Sequence, residues 1–292
     1  MTRLHGILTA VLVLVAATPA RAVNLRMEAS TTWAENIGRS TAVADMRNAQ
    51  RYEARASLSL FREWVPGFSL RGEFSAGLET VRGYALLGQF TAGPNVQFRR
   101  KFGLGAFAPS VEFNSGFTSR SARYDGNDGW TATAGLRVAR RLTSAWRFAA
   151  VADWQQDYAR ESIFDTRHHR VFGTVTWDID DRWQLSYGNG RLWGDFTANA
   201  SAAVWPKALA GALGTHISEY YQTVSWRPTG IMGPNWVTYR VTGHVDFWWL
   251  ELTPALGHNT SLPLRYENRL SLNKVGIKYR QELWSIGLLQ RF

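Results

Sequence analysis

The segment Leu283–Phe292 reads LWSIGLLQRF and ends on the last residue of the 292-residue chain. Most of its large apolar side chains fall on one parity: Trp284, Ile286, Leu288 and Phe292. Ser285, Gly287 and Arg291 fall on the other. Because successive side chains of a strand point to opposite faces, this period of two predicts a strand with one apolar and one polar face. A strand buried on both faces would be apolar throughout, so the segment is expected at a boundary between apolar and polar surroundings.

This segment resembles the closing strand of bacterial outer-membrane β-barrel proteins, which typically ends in a C-terminal Phe, as Phe292 does here. The resemblance implies that the strand closes the barrel by pairing with the first strand. It also implies that the barrel-assembly machinery recognises the strand that ends in Phe292. Gln290 departs from the family pattern, in which the third residue from the end is more often apolar.

The N-terminus has the pattern of a secretory signal peptide. Arg3 supplies the charged start, Gly6–Ala17 the apolar core, and Ala20-Arg21-Ala22 a small-x-small cleavage site. We therefore predict a signal peptide at residues 1–22 and a transmembrane β-barrel at residues 23–292. No apolar run of 18 residues follows, which argues against a helical membrane protein and leaves a secreted β-protein or a membrane barrel.

The composition narrows the chemistry. The chain has no Cys, which excludes disulfides and thiolate metal sites, and we expect no cofactor or metal. The formal net charge is +10. Because an exported chain does not normally meet nucleic acid, we expect outer-membrane lipids, anionic lipopolysaccharide and small acidic solutes as partners instead.

Alternation of apolar and polar residues recurs along the whole mature sequence. Tyr52–Arg62 and Phe68–Leu78 are examples, and such segments have the length of a tilted membrane crossing. The sequence predicts an all-β fold, a transmembrane antiparallel up-and-down barrel of 12–14 strands. The higher count treats Asn273-Lys274 as a turn, whereas a bulge there lowers it to the smaller one.

Connection lengths and tryptophan positions favour a membrane barrel over a soluble β-sandwich. Outer-membrane barrels have short periplasmic turns and longer external loops. Predicted short turns include 65–67, 142–145, 227–235 and 273–274; predicted long loops include 35–49, 197–215 and 251–263. Tryptophans beside predicted short turns indicate a girdle at one membrane interface: Trp64, Trp146, Trp177, Trp183, Trp226 and Trp236. A second girdle is predicted from Trp33, Trp130, Trp154, Trp193 and Trp249. The alternative is that these tryptophans are scattered core residues.

The predicted inward faces carry balanced charges. Either they line an aqueous pore, or they pair across strands and fill a closed lumen. A barrel of this size is wider than one that side chains alone can fill, which keeps both readings open. The predicted pore-lining residues are Arg55, Arg71, Glu73, Arg99, Glu112, Arg137, Arg147, Asp153, Arg240 and Asp246.

The preferred function is a porin-like passive channel or transporter for small polar or charged solutes in the bacterial outer membrane. An alternative is a lipid hydrolase, because His216-Ile217-Ser218 resembles the His-x-Ser pair of outer-membrane phospholipase A and the lipid A deacylases. The resemblance implies His216 as base and Ser218 as nucleophile, with Asn189 orienting the histidine. Glu219 stands where those families place Asn. A structural barrel without an open pore is a third possibility, and 205–214 is predicted as a short helix at the rim.

Overall fold

In a computed structural model, which describes residues 23–205, 225–274 and 276–292, twelve long antiparallel strands form one closed barrel. The predicted signal peptide lies outside the described residues. The long strands are β1 (Asn24–Ala34), β2 (Ala49–Val65), β3 (Phe68–Val81), β4 (Gln89–Lys101), β5 (Ser110–Ala122), β6 (Gly129–Arg141), β7 (Trp146–Ala159), β8 (Arg167–Asp178), β9 (Trp183–Ser201), β11 (Trp236–Pro254), β13 (Leu264–Asn273) and β14 (Lys278–Arg291). Two short strands complete the sheet, β10 (Trp226–Pro228) beside β11 and β12 (Thr260–Ser261) beside β14.

The last strand closes the ring. β14 pairs antiparallel with β1 in a register that runs from Arg26 opposite Arg291 to Ala34 opposite Leu283. Every other long strand pairs with the next long strand along the chain. A closed ring satisfies the backbone hydrogen bonds of every strand without leaving an edge. The predicted fold class is confirmed, at the lower end of the predicted strand range.

Two predicted strands are not found as separate crossings among the described residues. Residues 275–279 and the terminal segment were predicted as two strands, but β14 is continuous from Lys278. The predicted strand 220–226 falls mostly outside the described residues, and β10 pairs over only three positions with β11. Asn273-Lys274 does begin a turn, in which Asn273 N donates to Ile277 O at 3.1 Å and Gly276 has a positive φ of 83°.

The two ends of the barrel differ in their connections. We call the end with the β2–β3, β4–β5, β6–β7, β8–β9 and β11–β13 connections the turn end, and the opposite end the loop end. The predicted short turns 227–235 and 273–274 lie at the loop end, and the predicted long loop 251–263 lies at the turn end. These three assignments were wrong because the two extra predicted strands reversed the direction of the chain between them.

The outer face of the barrel is apolar, as a lipid-facing surface requires. Phe74 and Leu78 of β3 are about half exposed there, whereas Ser57, on the inner face of β2, is buried. Exposed apolar side chains of this kind recur around the ring: Leu58, Phe90, Phe113, Leu136, Phe148, Val171, Tyr187, Leu250, Ile286 and Leu288.

The tryptophans divide between the two ends, though not as predicted. Trp64, Trp146, Trp177 and Trp183 lie outward at the turn end, and the rings of Trp146 and Trp177 stack at 5.5 Å. Trp226 and Trp236 lie at the opposite end, so their assignment to the same girdle was wrong. In the second predicted girdle, Trp33 and Trp193 lie outward near the loop end, as predicted, whereas Trp249 faces the lumen and is 8% exposed.

A face-swap pair tests which side of the wall meets lipid. Phe74→Arg places a charge near mid-strand on the outer face and should cost about 2–4 kcal/mol of unfolding free energy in lipid. Ser75→Arg, one residue along and facing the lumen, should cost less than about 1 kcal/mol because water can solvate it there. Refolding titrations in lipid vesicles measure both, and equal costs would contradict the assignment of faces.

Candidate functional site

The inner wall gathers most of the predicted pore-lining residues. The residues that face the lumen are Arg55, Arg71, Glu73, Arg99, Glu112, Arg137, Arg147 and Asp153. Arg240 and Asp246 do not, because the even-numbered residues of β11 face outward. Asp246 forms an ion pair with Arg191 on the outer face, and Arg240 donates to Ser162 O at 3.0 Å in the β7–β8 connection.

Several lumen carboxylates are each held by two arginines. Glu112 is buried between Arg99 at 3.3 Å and Arg137 at 2.9 Å. Arg141 and Arg147 approach Asp178 at 3.0 and 2.6 Å. A third cluster has the same arrangement: Glu267 with Arg265 and Arg269. The clusters around Glu112 and Asp178 each keep one net positive charge, so the lumen is locally basic at the turn end, although the sequence predicted a balance. The third cluster is neutral, because Arg265 also lies 3.7 Å from Glu251.

Two of these clusters line a cavity of about 360 Å³ at the turn end. Lys101 joins the arginines there, and Glu112 is the one carboxylate among the lining residues. A second cavity, of about 230 Å³, lies against β1, β2, β13 and β14 and includes Arg51, Glu53 and Arg269. The turn-end cavity presents more guanidinium than carboxylate groups, and that arrangement attracts anions. The second cavity is balanced, because Arg51, Arg265 and Arg269 face Glu53, Glu251 and Glu267 there.

Between these regions the wall carries an aromatic cluster, which we define as Phe172, Phe247 and Trp249. The rings of Phe172 and Trp249 meet edge to face at 5.5 Å, and Arg265 lies 4.6 Å from the centre of the Trp249 ring. The Trp249 ring packs over Gly188, where only a residue without a side chain leaves room, because a Cβ there would lie 2.1 Å from the ring. The inward placement of these aromatics is the reason that Asp246 is turned to the outer face.

The glycine beneath Trp249 offers a packing test. Gly188→Ala should destabilise the barrel by about 1–3 kcal/mol, since the Trp249 ring must move to admit the methyl group. The matched control is Gly72→Ala on β3, where an added Cβ meets nothing within 4 Å and the change should be neutral or stabilising by up to about 1 kcal/mol. Tryptophan near-ultraviolet circular dichroism and denaturant titration report the difference. Equal stability of the two variants would contradict the close contact.

At the loop end, β9 and β11 extend beyond their neighbours as a hairpin. Pairing of β8 with β9 stops at Gly194, and pairing of β11 with β13 stops at Gly243, but β9 and β11 remain paired as far as Ser201 opposite Trp236. The inner face of this extension is a buried apolar cluster that also reaches β14: Phe196, Ala198, Ala200, Val237, Tyr239, Val241, Val245 and Tyr279.

A second apolar cluster, which we call the cap, lies across the opening at this end. Ile231 and Met232 of the β9–β11 connection are buried in it with Trp236. Side chains from four other loop-end connections pack against them: Ile37, Tyr84, Leu87, Tyr124 and Phe164. These connections leave strands on different sides of the ring and can meet only over the mouth, so the cap narrows the loop-end opening.

The β1–β2 connection, residues 35–48, crosses the mouth as a strap. Near β14, Asn36 Nδ2 donates to Arg280 O at 3.1 Å, and Gln281 Nε2 donates to Asn36 O at 3.0 Å. On the far side, Asn199 N of β9 donates to Gly38 O at 2.9 Å, and Ser40 Oγ donates to Asn199 O at 2.8 Å. The strap thus bridges two strands that are separated in the ring by β11 and β13.

Arg39 occupies the middle of the strap and points into the lumen. Its Nε donates to Gln281 Oε1 at 3.1 Å, and its Nη1 donates to Thr197 O at 3.4 Å. Burial, followed by the positive charges of Arg269 and Arg51, lowers the pKa of Arg39 to about 10. The guanidinium therefore stays charged at neutral pH. The sequence prediction missed Arg39 because it read 35–49 only as a long polar loop.

The residues of the alternative hydrolase reading are not brought together by the described part of the chain. His216 and Ser218 lie outside the described residues, as does almost all of the helix predicted at 205–214. Asn189 lies on the outer face of β9, opposite Trp248. Within the described ranges, no group of three acidic or histidine side chains could hold a metal ion. The same ranges contain no helix with the length and apolar character needed to span a membrane.

Solved structures share this architecture. An outer-membrane channel from Pseudomonas putida F1 matches with a TM-score of 0.59 and 9% identity, over 94% of this chain and 97% of that one. The NanC porin gives a TM-score of 0.44 at 10% identity, over 92% and 99%. For the translocator domain of the autotransporter NalP from Neisseria meningitidis, the TM-score is 0.39 at 9% identity, over 100% and 96%. Similarity at these identities shows the fold, which is that of bacterial outer-membrane β-barrels.

No protein-family model matches the sequence, and no curated protein matches it.

Proposed function

We propose that this chain is a passive channel of the bacterial outer membrane for small polar or charged solutes. The observation that carries the proposal is the division of the wall into two faces along the barrel. The outer face is apolar, and the inner face carries ion-paired arginines and carboxylates from the turn end to the loop end. Charged inner rings of this kind are the means by which pores select ions.

The proposed location follows from the same division. A closed barrel with an apolar outer face is stable in a bilayer, because every backbone polar group is satisfied within the ring. The similar fold of an outer-membrane channel supports the same location. By analogy with the short periplasmic turns of such barrels, the loop end would face the cell exterior and both termini the periplasm.

The charge of the lumen indicates which solutes are favoured. In the clusters around Glu112 and Asp178, two arginines face each carboxylate, which leaves a positive excess at two places in the turn-end lumen. Fixed positive charge near the path lowers the energy of an anion and raises that of a cation. The channel should therefore prefer small anions.

Single-channel recording in a planar bilayer tests conduction and selectivity together. The double variant Arg99→Gln with Arg147→Gln removes two lumen charges, yet each carboxylate keeps one arginine, Arg137 for Glu112 and Arg141 for Asp178. We expect the wild type to conduct with an anionic reversal potential, and the double variant to shift toward cations.

The matched control is Arg62→Gln with Arg100→Gln, which removes the same charge at the same end from the outer face. It should leave the reversal potential unchanged. A wild-type barrel that is folded by heat-modifiable gel mobility but never conducts would refute the channel and leave the structural reading in its place.

A further inference from the structure

We propose that Arg39 is the anion-selecting residue of the channel, held in the loop-end mouth by the strap 35–48, where it binds the carboxylate or phosphate group of passing solutes. This inference rests on the proposed channel function and adds to it a specific site and a chemical class of solute.

The position of Arg39 is defined by contacts on several sides of the lumen. Its side chain reaches Gln281 on the inner face of β14 and the backbone of Thr197 on β9, and its Cζ lies 5.9 Å from the centre of the buried Phe196 ring. The positive charges of Arg269 on β13 and Arg51 on β2 also act on it and, after burial, lower its pKa. The Arg39 side chain contacts both β14 and β9, which are separated in the ring by β11 and β13. It therefore lies within the opening.

The charge of Arg39 differs from that of other lumen arginines because neutral acceptors hold it. Most arginines of the inner wall are paired with Glu or Asp, as Arg137 is with Glu112. Among the residues that the structure describes, Arg39 forms no ion pair with a carboxylate, and its two acceptors are an amide oxygen and a carbonyl oxygen. An anion that enters the mouth therefore meets a full positive charge without displacing a protein carboxylate.

The arginines near Arg39 differ from it in having carboxylate partners of their own. Arg51 and Arg269 both line the cavity of about 230 Å³ against β1, β2, β13 and β14. Arg51 is paired with Glu53 and Arg269 with Glu267, whereas Arg39 has no carboxylate partner among the described residues, so an anion at the mouth is attracted to Arg39 first.

The strap holds Arg39 in a backbone conformation that residues other than glycine rarely adopt. Arg39 has a φ of 49° and Asn36 a φ of 50°, both in the left-handed region. The conformation persists because Asn36 Oδ1 accepts from Ser40 N at 2.8 Å and Asn36 Nδ2 donates to Ser40 O at 2.9 Å. Such strain, kept in place by surrounding hydrogen bonds, is typical of functional sites.

The test uses the full-length barrel in planar bilayers, with chloride and inorganic phosphate as the probe anions. Arg39→Gln should lower the chloride-to-potassium permeability ratio several-fold and weaken block of the chloride current by phosphate. Arg39→Lys should retain most of the anion preference because it keeps the charge. Arg82→Gln removes an exposed charge from the β3–β4 connection and serves as the control, with no expected change.

A second variant separates charge from folding. Because the sequence contains no Cys, Arg39→Cys supplies a single thiol that can be modified after the barrel has folded. A cationic methanethiosulfonate reagent should restore the anion preference, an anionic one should reverse it, and the same reagents on Arg82→Cys should have little effect.

The outcomes distinguish the two proposals. A folded wild type without conductance would refute the channel function itself. A conducting wild type whose selectivity and phosphate block are unchanged in Arg39→Gln, and unaffected by the charge placed on Arg39→Cys, would overturn the role of Arg39 and leave the channel function intact.

Discussion

The pairing of β14 with β1 is the constraint on which the rest of the barrel depends. Lipid offers no partner to a backbone N–H or C=O group, so one unpaired edge in the membrane would leave a row of unsatisfied groups. The register from Arg26 opposite Arg291 to Ala34 opposite Leu283 removes that edge. Once the ring is closed, the pleat of each strand assigns alternate side chains to lipid or lumen, and the chemistry of both faces follows from sequence parity.

Closure also determines how the lumen handles its charges. The arginines cannot turn away from the inner face, so they are stabilised where they lie, by cross-strand carboxylates such as Glu112 and Asp178. Two arginines for each carboxylate satisfy the buried acid and leave net positive charge facing the water-accessible space. One arrangement therefore serves both stability, since the carboxylate is never unpaired, and solute preference, since the excess charge is not neutralised.

The alternation of apolar and polar residues correctly predicted which side chains face the lumen in most strands. It failed where the inner face is apolar. In β2 to β7 the polar parity faces inward, and Arg55, Arg71, Glu112 and Asp153 lie where the sequence placed them. In β11 the rule assigned Asp246 to the lumen, but Phe247 and Trp249 occupy the inner face over Gly188. Asp246 can face outward because Arg191 of β9 neutralises it there. Gly188 on β9 and the Arg191–Asp246 ion pair decide which residues of β11 face inward, and the local period of the sequence carries no information about either. The sequence did not predict the strap for a related reason. The residues of β9 and β14 that hold the strap are far from it in the sequence.

The strap is itself a consequence of the closing pair. β1 ends at Ala34 opposite Leu283, and Glu35 N still donates to Glu282 O at 2.9 Å. One residue later, Asn36 bonds to Arg280 O and accepts from Gln281, so the chain leaves the sheet at a fixed point and angle. The Oε1 atom of Gln281 also accepts a hydrogen bond from Arg39 Nε. The strand that closes the wall thus provides the anchor for the residue that we place at the mouth. A slip in the β1–β14 register would move both together, which couples the selectivity of the opening to correct closure of the barrel.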